Sequence, residues 1–210
     1  LIRRIASLTG IAVQNARLFA DTRARTERLS LLNRVSVSLA QSLDTENVME
    51  IALQEIAMLL DLPLSRAYLV EREMHVERAV VDFPRGDAPP YEVFSFDARP
   101  VFDRLIHQPA PLLIENLASS TAPLKPTHLE RDDITSYALL PMTLAAQVTG
   151  IFELTTTEPD RIFDPEKLEL AGIIANQAAI GVLNASLLEQ TLVRTRELET
   201  LLEATQATAY

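Results

Sequence analysis

The 210-residue chain carries 19 basic and 29 acidic side chains, a formal net charge of −10, with 48% hydrophobic residues and no cysteine. That apolar content supports a sizeable buried core and excludes global disorder, while the negative field excludes nucleic acid and anionic lipid surfaces as expected partners. The missing cysteines remove disulfides, thiolate metal sites, thiol catalysis and thioether-linked chromophores together.

The chain opens on Leu1, not methionine, so a piece of a longer protein is expected. The short apolar stretch from Leu8 to Val13 sits inside an amphipathic helix pattern and is no secretory signal. No uninterrupted apolar run reaches the roughly 18 residues that span a bilayer, so this segment is expected to make no membrane contact and to be cytoplasmic.

The first organisational feature is a repeat. Asn15 and Asn184 stand 169 positions apart, and at the same offset Ile5/Ile174, Ala6/Ala175, Ile11/Ile180, Val13/Val182, Ala16/Ala185 and Leu18/Leu187 are identical. So are Thr22/Thr191, Arg25/Arg194, Thr26/Thr195, Leu29/Leu198 and Leu32/Leu201. Amphipathic helices share apolar positions by chance, but not Asn, Thr and Arg in ungapped register. Residues 1–16 are therefore expected to close a preceding unit and 17–43 to form a connecting helix. One complete domain is expected over 44–186, with an exit helix over 187–210.

Between the outer helices, Asp44 is a plausible N-cap for a helix from Thr45 to about Leu60, with Val48, Ile51, Ala52, Ile56 and Leu59 on one face and Pro63 beyond it. SRAYLVE from Ser65 and HVERAVVDF from His75 read as strands around a charged turn at Glu71–Glu73. Phe83 to Pro90 is loop-like, EVFSFDA from Glu92 alternates as a strand, and RPVFDRLIHQ from Arg99 is a short helix with Pro100 in its first turn. PLLIENL from Pro111 is a further strand, followed by a polar loop over 118–133. Ser136 to Thr157 then reads as two long strands with a tight turn near Ala146–Gln147. Asp164 caps a final helix, with Pro165 at its first position and Glu166 in its first turn. The succession implies an α+β domain with a mainly antiparallel sheet and helices packed on it.

The last hairpin and closing helix resemble the GAF domains of signalling proteins. Ser136, Leu139, Pro141 and Met142 match the family's Pro-apolar strand; Gly150, Phe152 and Leu154 match its Gly-led strand. Phe163 follows, then Leu168, Leu170, Ala175, Gln177, Ala178 and Ala185 in the closing helix. The likeness covers about 44–186, from the Leu43–Asp44 helix start through PLLIENL. One departure is the hairpin turn, where Ala145, Ala146 and Gln147 stand in place of the frequent glycine.

Catalytic and metal chemistry finds little support. His75, His107 and His128 are scattered and form no HExxH; Asp103 lies one helical turn before His107, a common pair on exposed helix faces. Ser136 and the Ser119–Ser120–Thr121 cluster lie near no glycine-flanked elbow, and five glycines provide no phosphate-cradling loop. No enzyme activity is expected. Among the cofactors the resemblance brings into question, covalent bilin and the family's cysteine-dependent sulfoxide reductase activity are excluded by the absence of cysteine. No motif selects a haem ligand. The Asn–Lys pair of cyclic-nucleotide-binding relatives is missing, and Phe163 runs directly into Asp164. A non-covalent tetrapyrrole stays open.

The resemblance implies a small molecule held between one sheet face and the short helix with its loops, where Phe94, Phe96, Phe102, Leu105, Tyr137 and Phe152 are the candidates. The same residues would also serve as plain core, since any sheet face must be covered. Along the outer helices Leu18, Thr22, Arg25, Leu29, Leu32, Ser36 and Leu39 alternate in steps of four and three, the spacing of a coiled-coil seam. Leu187, Thr191, Arg194, Leu198 and Leu201 repeat it. Polar seam positions weaken pairing and leave it switchable. The expected protein is a sensory or relay domain, homodimeric through these helices and joined to neighbouring domains of the same chain. The alternative is a dimerisation spacer without ligand. No kinase, cyclase or DNA-binding output motif is visible.

Overall fold

The computed structural model describes residues 2–71, 76–84, 93–95, 100–114, 116–117, 134–158 and 163–207. These form helices α1 (Ile2–Gln41), α2 (Thr45–Leu60), α3 (Pro100–His107) and α4 (Pro165–Ala207). The strands are β1 (Leu64–Glu71), β2 (Val76–Phe83), β3 (Val93–Ser95), β4 (Leu112–Ile114), β5 (Ser136–Leu144) and β6 (Gln147–Thr156). They join one sheet in the order β3-β2-β1-β6-β5-β4, with every described pairing antiparallel. The expected α+β architecture is present. The polar loop over 118–133, the turn residues 72–73 and most of the Phe83–Pro90 loop lie outside the described residues.

Local chemistry sets the boundaries. The Asp44 carboxylate accepts from the Asn47 backbone N–H at 3.2 Å, satisfying a donor that the first turn of α2 leaves open. At the other end Asp61 is left-handed with φ 52°, and Leu62 N–H returns to the Ala57 carbonyl at 2.9 Å before Pro63 stops the helix. Asp164 caps α4 through the Glu166 N–H at 2.9 Å.

The β5–β6 turn is one residue earlier than expected. Leu144 pairs with Gln147, leaving Ala145 and Ala146 as the two loop residues with φ of 49° and 63°. Positive φ at both positions is the twist-matched hairpin geometry, for which Asn-Gly is preferred and alanine is strained by its Cβ. Replacing the pair by Asn-Gly is expected to raise unfolding free energy by about 1 kcal/mol. An unchanged or lowered urea midpoint at constant m-value would contradict that geometry.

Side chains alternate across the strands and divide the core in two. Ala67, Ala138, Leu140, Met142, Phe152 and Leu154 face a layer of α1, α2 and α4, where Val48, Leu53, Ile56, Ile174 and Ala178 are buried. Tyr68, Ala79, Tyr137, Leu139, Val148 and Ile151 face the other way, toward Val101, Phe102, Leu105 and Ile106 of α3. At Gly181, a Cβ would stand 2.9 Å from Val48 Cγ1, so glycine lets α4 and α2 approach closely.

By length and composition, a stretch of α4 within Pro165–Leu201 is apolar enough to cross a membrane, despite having no unbroken apolar run. Ile174, Ala175, Ala178 and Ala179 within it are buried in the domain core, as expected for a core helix.

The outer helices supply more than connection. α1 is unbroken across the expected 16/17 boundary, and α4 across 186/187. Val35 and Leu39 are 1% and 2% exposed within the helix-layer core. Leu39 was expected on a dimer seam; that expectation is corrected, because the last turns of α1 pack across α2 and α4 and bury it inside its own domain.

α1 and α4 run parallel. Arg28 Nη2 meets Glu169 Oε1 at 2.8 Å, and eleven residues further along α1 the Leu39 carbonyl lies 3.6 Å from where a Cβ on Gly181 would stand. Both chains advance in the same direction between these contacts. At 1.5 Å per residue, α1 overhangs one end of the shared contact and α4 the other, by about 35 Å each.

Candidate functional site

The α3 face carries the candidate ligand site. Phe102, Leu105 and Tyr137 are each 2% exposed there, and Phe94 is half-buried beside them. Phe102 meets Tyr68 edge-on at a ring-centroid distance of 5.2 Å, and Phe94 meets it at 6.2 Å. These four expected residues share one face. Phe96 lies outside the described residues.

Phe152 is a correction. It is fully buried, but on the α2/α4 side, paired between Ala67 of β1 and Leu140 of β5. The reason is parity: its neighbour Ile151 takes the α3 side, and adjacent strand residues cannot share a face.

Sequence reasoning missed a polar row in the same floor. Asp82 of β2, Arg66 of β1 and Glu153 of β6 are directly opposite one another across three adjacent strands. Arg66 Nη2 donates to Asp82 Oδ2 at 2.9 Å, and its Nε donates to Oδ1, a bidentate pair. Glu153 is 1% exposed and its Oε2 accepts from the Tyr68 hydroxyl at 2.9 Å. On the other side of Glu153, Thr155 donates to the Leu64 carbonyl at 2.9 Å. The missed signal was a glutamate within the apolar run Ile151–Leu154, in a strand buried on both faces. A buried carboxylate is costly without partners, so such a position points to a polar site or an internal pair.

The expected seam residues divide. On α1, Leu18, Thr22, Arg25 and Leu29 are exposed, while Leu32 and Ser36 are half-buried. On the α4 overhang, Leu187, Thr191, Arg194, Leu198 and Leu201 are exposed. The repeat extends to hydrogen bonding: Thr22 donates to the Leu18 carbonyl and Thr191 to the Leu187 carbonyl, both at 2.7 Å. Thr26 and Thr195 do the same one turn later, to Thr22 and Thr191. Arg25, Leu29 and Leu32 line an open groove of about 540 Å³ together with Arg28, Glu166 and Leu170 of the parallel helix pair.

His107 and Asp103 form an exposed one-turn pair, with His107 Nδ1 3.3 Å from the carboxylate. His75, His128 and Ser119–Thr121 lie outside the described residues, and Ser136 is buried in β5. Among the described residues, no group of three His, Cys, Asp or Glu could hold a metal ion.

These features define an α+β domain with helices along one sheet face and a short helix over a partly polar second face. The chain belongs to the GAF domain family, which matches residues 42–182. GAF domains are signalling and sensory domains, and the fold is generally regulatory and not catalytic. Among solved structures, the GAF domain from an Acinetobacter phosphoenolpyruvate-protein phosphotransferase is similar at TM-score 0.65 and 11% identity, covering 76% of this chain and 95% of that one. Residues 122 to 287 of a methyl-accepting chemotaxis protein align at TM-score 0.63 and 15% identity, covering 73% and 98%. A free methionine-R-sulfoxide reductase from Neisseria meningitidis, solved with its substrate, aligns at 0.58 and 13%, covering 76% and 90%. At these identities the likeness is one of fold. A comparison with curated protein sequences finds no match.

Proposed function

We propose that this chain is a non-catalytic sensory relay of a signal-transduction protein, which takes a small ligand on the α3 face and passes the change along paired helices. The carrying observation is the direct parallel contact between α1 and α4, whose free ends extend in opposite directions. An input arriving on α1 thus meets the output helix within one domain. The sheet is also tied to that helix: Asn176 Oδ1 accepts from Thr143 N–H at 3.1 Å and Thr143 Oγ1 at 2.7 Å. Thr143 lies on β5, the strand that carries Tyr137 and Leu139 on the α3 face.

A second copy of the chain is the proposed partner of the exposed stripe. Leu18 and Leu29, 57% and 61% exposed, would leave apolar area in water that pairing removes. Parallel pairing of α1 with its equivalent brings two Arg25 side chains together. Glu166 on the same groove is the acidic neighbour toward which each can turn. The association should therefore be weak and sensitive to salt. The Arg25→Leu variant is expected to dimerise more tightly and to lose that salt dependence in sedimentation at low and high ionic strength. A wild type that stays monomeric at high micromolar concentration, with no gain from leucine, would remove the dimeric relay.

The competing reading, a dimerisation spacer without ligand, draws support from the close packing of Phe102 and Leu105 on Tyr68 and Tyr137. Native mass spectrometry of the purified chain separates the two, by the presence or absence of a retained small molecule.

A further inference from the structure

We propose that α4 carries a second interface with a second copy of the chain, a parallel seam from Ile180 to Leu201 in which the two Asn184 amides meet. The proposal rests on the reading of that copy as the partner of α1, and extends the pairing to the helix that leaves the domain. The repeat of the outer helices is its first support. Positions 11, 15, 18, 22, 25, 29 and 32, in steps of four and three, are all identical to their counterparts 169 residues later. Of the 15 positions between them, only Val13, Ala16 and Thr26 match. The others include charge inversions, from Glu27 to Arg196 and from Arg28 to Glu197. One face is thus held constant while the rest of the helix varies, and a shared face fits a shared kind of partner. It is not the face that packs on the domain. On α4 every position of the stripe from Ile180 to Leu201 is exposed, while Ala178, Ala179 and Ala185 beside it are buried.

The two stripes lie on one side of the molecule. Arg25, Leu29 and Leu32 of α1 share their open groove with Glu166 and Leu170 of α4. Continued in the same steps, positions 170, 173, 177, 180 and 184 fall on one line along α4. Leu170, Ile173 and Gln177 are half-buried over the length where α1 runs alongside. Ile180, level with Leu39 near the end of α1, is already 44% exposed. The seam therefore passes from α1 to α4 at the level where Val35 and Leu39 enter the core. A partner that covers both stripes needs the same two faces at the same spacing. A second copy related by a two-fold axis along the helices provides them, and each residue then meets its equivalent. An asparagine amide both donates and accepts, so Asn184 can satisfy its own copy. A single seam asparagine sets register and helix number at a cost in strength. Arg194 also meets its copy, with Glu197 on the same surface hollow, so the pairing stays weak.

The chain has no cysteine, so each introduced thiol is unique, and every position used in the test is exposed. Full chains carrying Leu18→Cys, Leu187→Cys or, off the stripe, Arg196→Cys are mildly oxidised, and disulfide-linked dimers are followed on non-reducing gels. Leu187→Cys is expected to cross-link about tenfold faster than Arg196→Cys. In a mixture of Leu18→Cys and Leu187→Cys chains, no disulfide should join one kind to the other. Asn184→Asp added to the Leu187→Cys chain sets two charges against each other and should slow its cross-linking about tenfold. Thr200→Asp, the same charge off the stripe, should leave it unchanged. If Leu187→Cys is no faster than Arg196→Cys while Leu18→Cys still cross-links, the α4 interface is overturned and the dimer through α1 stands. If neither stripe position exceeds Arg196→Cys, both fall. A disulfide joining position 18 of one chain to 187 of another overturns the pairing of equivalent helices in favour of an open head-to-tail contact. Cross-linking unaffected by Asn184→Asp overturns the meeting of the amides.

Discussion

Phe152→Ala is expected to lower the unfolding free energy by about 3–5 kcal/mol, the range for truncating a fully buried aromatic. Phe152 is completely buried between Ala67 and Leu140, in the layer shared by the sheet, α2 and α4. Its surroundings cannot easily collapse into the space. Ala67 and Ala138 are too short to reach in, and the β1–β6–β5 ladder holds their backbones apart. The lost contacts therefore come with a residual cavity. Urea unfolding should show the midpoint fall at unchanged m-value. Because the side chain faces away from α3, the Tyr68–Phe102 ring contact should survive in the folded variant. A loss below about 1 kcal/mol would mean that the phenyl ring is not where the alternation of β6 puts it.

Gly150→Ala, a change of one methyl group, is expected to cost about 1–3 kcal/mol. At most strand positions the same exchange helps, by reducing the freedom of the unfolded chain. Here a Cβ would stand 2.7 Å from the Tyr68 carbonyl oxygen and 2.9 Å from Met142 Sδ. The methionine can swing aside, but the carbonyl belongs to β1, and the neighbouring Leu69 is paired with Gly150 itself. Relief requires β1 and β6 to separate locally. That movement displaces the Tyr68 peptide, so the variant should also disturb the ring contacts of Tyr68 with Phe102 and Phe94. Denaturation and the Tyr68 ring resonances report the two effects separately. A neutral or stabilised variant would show that the close β1–β6 approach at this point is mistaken.

The expectations for Phe152 and Leu39 failed for a shared cause. Phe152 and Leu39 were each identified correctly as apolar positions on a regular element, but each was assigned to the wrong partner. Alternation along Gly150–Leu154 separates two sets of side chains and does not say which set meets the long helices. Only the pairing of β6 with β1 and β5 does that, through Ala67 and Leu140 on one side and Tyr68 on the other. Similarly, the four-three spacing of α1 describes a stripe without dividing it. Leu18 remains outside because α1 has passed beyond the start of α4, Leu29 lies level with α4 but on the open groove beside it, and Leu39 is covered where α2 joins the two helices.

The row of Asp82, Arg66 and Glu153 is the strongest case of this kind. In sequence these residues are far apart; Arg66 and Asp82 each resemble an ordinary surface charge on a strand, and Glu153 is a lone charge in an apolar run. They become one site only when the sheet order puts β2, β1 and β6 next to each other in register.

By itself the sequence determined what short-range chemistry controls: the helix and strand periods, the Asp44 and Asp164 caps, the last hairpin, the family and the repeat of the outer helices. The periods, caps and hairpin depend on residues a few positions apart, where backbone geometry and side-chain periodicity suffice; the family and the repeat are read from the order of residues along the chain. Tertiary structure alone decided the face taken by Phe152, the burial of Leu39, the parallel seating of α1 on α4 and the polar floor beneath α3. Each depends on contacts between residues distant in the chain, so local periodicity leaves more than one packing open, and the register of the strands with the level of the helices selects one.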